Sequence, residues 1–236
     1  MLKPFARVGL AGLVSVVLMV GCDVGVNENV EIEAGGDAQG GAARINGDVV
    51  VGERAVVQDG DLKTVNGTIE IKHGARVNRC ATVNGSLTVE AEAQTGDLES
   101  VNGNLNVDRD AMVRGNVKLV NGGVTLQSGA KVSGNVGTVN GAIELYGATV
   151  EGILENYSGG MTITEGSVVE GGISVHKAGR YDHSAAPTIV IGPDSTVKGA
   201  MSFERPVRLF IHDTASVGQI HGADPIRYSG ELPAEG

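Results

Sequence analysis

This sequence predicts an all-β fold: a single-stranded parallel β-helix, a solenoid of about nine rungs of 18–20 residues each. Three observations carry that reading. A tripeptide recurs as Ile45-Asn46-Gly47, then as Asn-Gly after Val65, Val83, Val101, Val120 and Val139, and in degenerate form as Tyr157-Ser158-Gly159; the spacings are 20, 18, 18, 19, 19 and 18 residues. An apolar-x-apolar pair follows at a fixed distance, as in Ile69/Ile71, Leu87/Val89, Leu105/Val107, Val124/Leu126, Ile143/Leu145 and Met161/Ile163. Period 2 of this kind turns one face inward and the other outward. The composition is also wrong for a bulky core, with 37 Gly, no Trp and 3% aromatic residues. Val, Ile, Ala and Gly must then fill the interior, which suits thin, regular β-structure.

Each rung reads as three short strands between glycine-rich corners. After the apolar pair comes a small residue (Ala75, Ala93, Ala111, Ala130), and two residues later Val77, Val113 or Val132. Stacked rungs pair their backbones at roughly 4.8 Å. A corner calls for residues that accept positive φ, and Asn and Gly do so at least cost. Stacking aligns Asn46, Asn66, Asn84, Asn102, Asn121 and Asn140, so their amides are placed to hydrogen-bond along the axis as a structural ladder. The other reading is six exposed asparagines that only form turns.

Residues 1–21 read as a signal peptide. Lys3 and Arg7 precede an apolar run from Val8 to Val20, long enough for a signal core and short for a membrane span. The run ends in Gly21-Cys22, which resembles the lipobox of bacterial lipoproteins. That resemblance implies cleavage after Gly21, acylation (palmitate among the chains) of Cys22 as the new N-terminus, and a sorting role for Asp23. Two or three acyl chains at roughly 0.8 kcal/mol per buried CH₂ anchor a protein stably. Residues 22–41, acidic and then glycine-rich, read as the lipidated N-terminus and a flexible linker, although "VNENVEIE" is able to pair as a strand.

The β-helix is assigned to residues 42–222. A polar insertion at about 176–187, "HKAGRYDHSAAP", interrupts it, and the pattern resumes at Ile189/Ile191. Residues 223–236, with two prolines and few apolar groups, read as a C-terminal cap and tail.

The formal net charge is −10, and removing Lys3 and Arg7 makes it two units more negative. Such a surface argues against nucleic acid as a partner. Cys80 would then be the one thiol besides Cys22, and it reads as a small buried hydrophobe. No cofactor or metal is expected. His176, Asp182 and His183 share the insertion, but no third ligand stands at a metal-site spacing. "IGPDST" at residues 191–196 matches one hexapeptide of left-handed β-helix acyltransferases, whose repeat would continue and here does not. The outward positions Thr68, Ser86, Asn104, Gly123 and Ala142, beside Glu70, Thr88, Asn106, Thr125 and Glu144, hold no carboxylate cluster of the kind polysaccharide-cleaving enzymes need.

Over residues 45–222 the rung length and Gly/Val/Ala pattern resemble bactofilins, the polymer-forming bacterial cytoskeletal proteins, and β-helical adhesins of bacterial envelopes. The resemblance implies a structural protein. Bactofilins are usually cytoplasmic, whereas this chain carries an export signal. The expectation is therefore a non-enzymatic β-helix protein, lipid-anchored to an envelope membrane on its periplasmic side, acting as a scaffold or adhesion surface toward an unidentified envelope partner. The alternative is a homo-oligomer made by end-to-end stacking into bactofilin-like filaments. A polysaccharide-acting enzyme is the third reading.

Overall fold

The computed structural model describes residues 23–177 and 185–230, whose regular structure is all β. Two parallel sheets of eleven strands run the length of the molecule. A third face holds a two-stranded and a seven-stranded sheet, joined through single bridges from Arg76 to Val56 and to Gln94. One rung shows the plan: Leu98–Asn102 on the first face, Leu105–Val107 on the second, Met112–Val113 on the third. Each strand pairs in parallel with its counterparts one rung before and one rung after. The chain is a β-solenoid of stacked, parallel rungs.

The two long sheets hold eleven strands each, and the count of about nine from Ile45 leaves out the first rung. Residues 23–41 do not behave as a linker. Asp23–Val26, Val30–Ile32 and Asp37–Ala38 pair with Ala42–Ile45, Val49–Val51 and Val56–Val57. Glu28, Glu31, Glu33 and Asp37, which suggested a tether, are exposed, while Val30, Ile32 and Ala38 are buried. Alternation, not mean polarity, decides whether a strand forms. At the other end, Pro225–Tyr228 adds a parallel strand to Arg208–His212, so the helix runs past residue 222. The expected boundary at 223 therefore falls inside the last rung, and Pro225, which has no N–H, suits an edge strand.

The polar insertion leaves the helix after Ile173–Val175 and rejoins it at Thr188–Ile191. Arg205 fastens its return: one guanidinium nitrogen donates to the Tyr157 carbonyl at 2.9 Å and another to the Ala185 carbonyl at 3.3 Å.

Inside, like stacks on like. Ile69, Leu87, Leu105, Val124 and Ile143 form one column, and Ala55, Ala75, Ala93, Ala111, Ala130 and Ala148 another, all essentially inaccessible. The alanine column runs along the corner before the third face, and the buried Ser167 and Ser195 continue it, so a small side chain recurs there in rung after rung. Cys80 takes the place that Leu62 and Leu98 occupy in the adjacent rungs and is fully buried. Removal from water pushes its thiol up to about 12, with the Asp61 charge adding to the effect.

The Asn-Gly corners need glycine for a reason other than positive φ. Of the six asparagines only Asn46 is left-handed, at φ 57°. A Cβ on Gly67, Gly85 or Gly141 would instead overlap the carbonyl oxygen of the corner glycine one rung earlier. Close approach of backbone to backbone selects the residue. Left-handed residues gather at a different corner, just before the alanine column: Arg54 at 55°, Gly74 at 67°, Glu92 at 60°, Asp110 at 59° and Gly129 at 76°.

Candidate interaction face

The first face ends in a bend. Ser100 pairs with Thr82 and Asn102 with Asn84, and the register passes over Val101 between them. The pairings from Leu62–Asn66 to Val136–Asn140 repeat this geometry, passing over Val65, Val83, Val101, Val120 and Val139. Ile45, Val65, Val83, Val101, Val120 and Tyr157 form a row, all exposed by 37–41%. Isolated exposed valines are unremarkable, but a contiguous row marks a surface for contact. Beside the row runs a second outward column, Ala43, Lys63, Ala81, Glu99, Lys118, Gly137, Glu155 and Ser174. Between row and column lies an open groove of about 670 Å³, from Ala43 to Val120.

The asparagines edge this face. Asn46 donates through Nδ2 to Oδ1 of Asn27 at 2.9 Å, Asn66 to Asn46 at 2.6 Å and Asn84 to Asn66 at 2.8 Å. Asn102, Asn121 and Asn140 continue the series at 2.8, 2.8 and 2.9 Å. Between the end members Asn27 and Asn140, each amide donates to the rung before and accepts from the rung after. Asn27 begins the ladder, although Glu28 follows it where the later corners have Gly; its position 19 residues before Asn46 is the signal in the sequence. The ladder stops where Ser158 replaces asparagine.

Two further ladders emerge only from the structure. The hydroxyls of Thr64, Thr82 and Thr138 point inward and donate to the carbonyls of Gly47, Gly67 and Gly122 at 2.8, 3.1 and 3.1 Å. Asn156 Nδ2 takes over this task toward Gly141 O at 2.9 Å. These bonds tie each corner carbonyl to a side chain of the next rung. At the corner before the first face, Asp97 Oδ1 accepts the Asn116 N–H at 2.7 Å, Asn116 Oδ1 that of Asn135 at 3.0 Å, and Asn135 Oδ1 that of Ile153 at 3.0 Å. Its signal is the repeated Gly-Asp/Asn-apolar triplet at residues 96–98, 115–117 and 134–136.

Charges on the face are partly satisfied. Lys63 pairs with Asp61 at 2.7 Å, and Arg79 with Glu99. Among the described residues Lys118 and Glu155 have no ion pair. Elsewhere, Lys72 donates to Glu70 at 2.5 Å and to Glu90 in the next rung at 3.0 Å, and these carboxylates raise its ammonium above the ordinary value. A polar hollow of about 410 Å³ lies over Arg54, His73, Arg76, Glu92 and Asp110, with His73 Nε2 3.9 Å from Glu92. Among the described residues no three His, Cys, Asp or Glu side chains are grouped to hold a metal.

Gly21 and Cys22 lie outside the described residues, as do Asp182 and His183. Asp23 opens the first strand, its backbone paired with Ala42. His176 lies 3.6 Å from a Glu204 carboxylate oxygen and, ring to ring, 5.0 Å from Tyr157.

No protein-family model, curated protein or solved structure matches the chain.

Proposed function

We propose that this protein is a non-catalytic structural element of the bacterial envelope: a β-helix held to a membrane by acyl chains on Cys22, presenting its first face as a scaffold or adhesion surface. The observation that carries the reading is the row of outward apolar residues from Ile45 to Tyr157 beside the open groove. A straight apolar row along a rigid rod offers many equivalent contacts in register. The lipobox-like Gly21-Cys22 supplies the anchor, and export fits the acidic surface. Metabolic labelling with a palmitate analogue tests the anchor: Cys22→Ser should lose both label and membrane fraction, and a variant that stays labelled and membrane-bound rejects it. Val83→Asp with Val101→Asp tests the face, by loss of envelope partners that the unsubstituted protein retains after cross-linking in cells.

Filament formation by end-to-end stacking, the bactofilin-like alternative, draws on one observation. Asp23–Val26 and Val30–Ile32 are edge strands, each paired on one side only among the described strands. Unpaired strand edges are templates for further pairing. Electron microscopy of the full chain in mild detergent separates the two readings, since filaments a few nanometres wide would favour stacking over a discrete rod.

A further inference from the structure

The outward column of the first face reads, over eight consecutive rungs, Ala43, Lys63, Ala81, Glu99, Lys118, Gly137, Glu155, Ser174. Reversed about the midpoint between Glu99 and Lys118, every lysine falls on a glutamate and every small residue on a small residue. We infer that this face docks onto the same face of a second copy, with the two β-helices antiparallel and a two-fold axis crossing them between the Glu99 and Lys118 rungs.

The argument rests on symmetry and charge. Two identical faces in contact obey a two-fold axis lying in the interface, and for rods packed lengthwise that axis runs either along the helix axis or across it. The first arrangement sets each rung against itself, so Lys63, Glu99, Lys118 and Glu155 would each meet their own kind. The second reverses the order of rungs and keeps each column against itself. With the axis between the Glu99 and Lys118 rungs, Lys63 meets Glu155 of the partner subunit and Glu99 meets Lys118, each twice by symmetry, while Ala81 meets Gly137. No other antiparallel offset gives all four charges an opposite partner. Like charges directly opposed across an interface are costly, and matched ones fix register.

The neighbouring row agrees. The same axis sets Val101 against Val120 of the partner subunit, Val83 against Val139, and Val65 against Tyr157, so the exposed apolar row is covered along its length. Lys118 and Glu155, which lack ion pairs among the described residues, gain them. Lys63 and Glu99 keep Asp61 and Arg79 and accept a second partner. The inference does not require the lipid; it names a second copy of the chain, in place of an envelope partner, as what the first face holds, and it concerns the side of the rod rather than its ends.

Disulfide trapping tests it on the full chain in mild detergent, with the unsubstituted protein as background. Cys80 is buried, and the unsubstituted protein reports any cross-linking through Cys22. Chains carrying Val83→Cys and chains carrying Val139→Cys are oxidised separately and as a mixture. In the antiparallel dimer the two copies of residue 83 lie three rungs apart, roughly 14 Å, beyond the ~7 Å Cα separation a disulfide tolerates. The expected result is a cross-linked dimer from the mixture and none above background from either variant alone. Cross-linking of Val83→Cys with itself would overturn the antiparallel arrangement, and no cross-link in any sample would overturn the dimer. Sedimentation gives an independent reading. Lys118→Glu should weaken association about tenfold, and adding Glu99→Lys to the same chain should restore it. Failure of that second change to restore association would remove the charge argument.

Discussion

At Gly85 the carbonyl of Gly67 leaves no space for even a methyl group, and the same is true along the whole corner. Gly85→Ala must push two stacked backbones apart, so a loss of about 3 kcal/mol is expected, the upper end of ordinary overpacking, readable by urea denaturation. The asparagine one position earlier is less critical. Asn84→Ala removes one bond donated and one accepted, both exposed, and should cost about 1 kcal/mol in the same experiment. A large effect at Asn84 and a small one at Gly85 would reverse this ranking of backbone approach over amide ladder. Cys80 provides a third test. Its protonated form is favoured in the folded state, because burial raises the thiol to about 12. The unfolded chain gives up that proton at a lower pH, so the thiol's contribution is complete below the ordinary thiol range and is lost as pH rises toward 12. Alkylation of Cys80, followed by peptide mass, should therefore track global unfolding; rapid modification of the native protein would contradict its burial.

Strands of two to five residues have little stability alone, and here each is held by the equivalent strands above and below. Truncating one inward residue damages three rungs. Leu105→Ala, beneath Leu87 and above Val124, should cost about 2–5 kcal/mol. The Lys72 pair lies on the surface and contributes far less. Its raised ammonium means that the interaction is present below lysine's ordinary value and is lost as pH rises through the higher folded value. Glu90→Gln should therefore lower stability by about 0.5 kcal/mol at neutral pH, with the difference disappearing at strongly alkaline pH. The rung itself is legible in the sequence because its signals are local and periodic: Leu105/Val107 announces a strand wherever it stands. The first rung is only half legible: "VNENVEIE" reads as able to pair, but Glu28, Glu31 and Glu33 dominate the composition, while the buried Val30, Ile32 and Ala38 determine where it packs. The apolar row is equally hidden. Val101 precedes Asn-Gly and reads as part of a turn motif, and only the skipped register beside Ser100 shows that it faces outward. Charge order in the Lys63–Glu155 column is likewise invisible, because the residues lie a rung apart in the chain and become neighbours only on stacking.

At the scale of the molecule, eleven rungs at roughly 4.8 Å make a rod about 50 Å long with nearly constant cross-section. Each rung touches only its neighbours, so unfolding should spread from an end or from a damaged rung rather than strike everywhere at once. Hydrogen exchange would then show the protection of central strands such as Leu105–Val107 outlasting that of Asp23–Val26, and uniform exchange along the rod would argue against sequential opening. The close match between one corner glycine and the next has a further consequence, for how such a chain changes size. A duplicated stretch of one period, such as residues 85–102, would present the same glycine, asparagine and inward side chains to the units on either side. Length can therefore grow or shrink in whole steps, as a column gains or loses a brick, while its width and edge chemistry stay fixed. The same step displaces every surface charge beyond it by one storey. A gene duplication that leaves the fold untouched would thus rewrite which copy of the protein can recognise which.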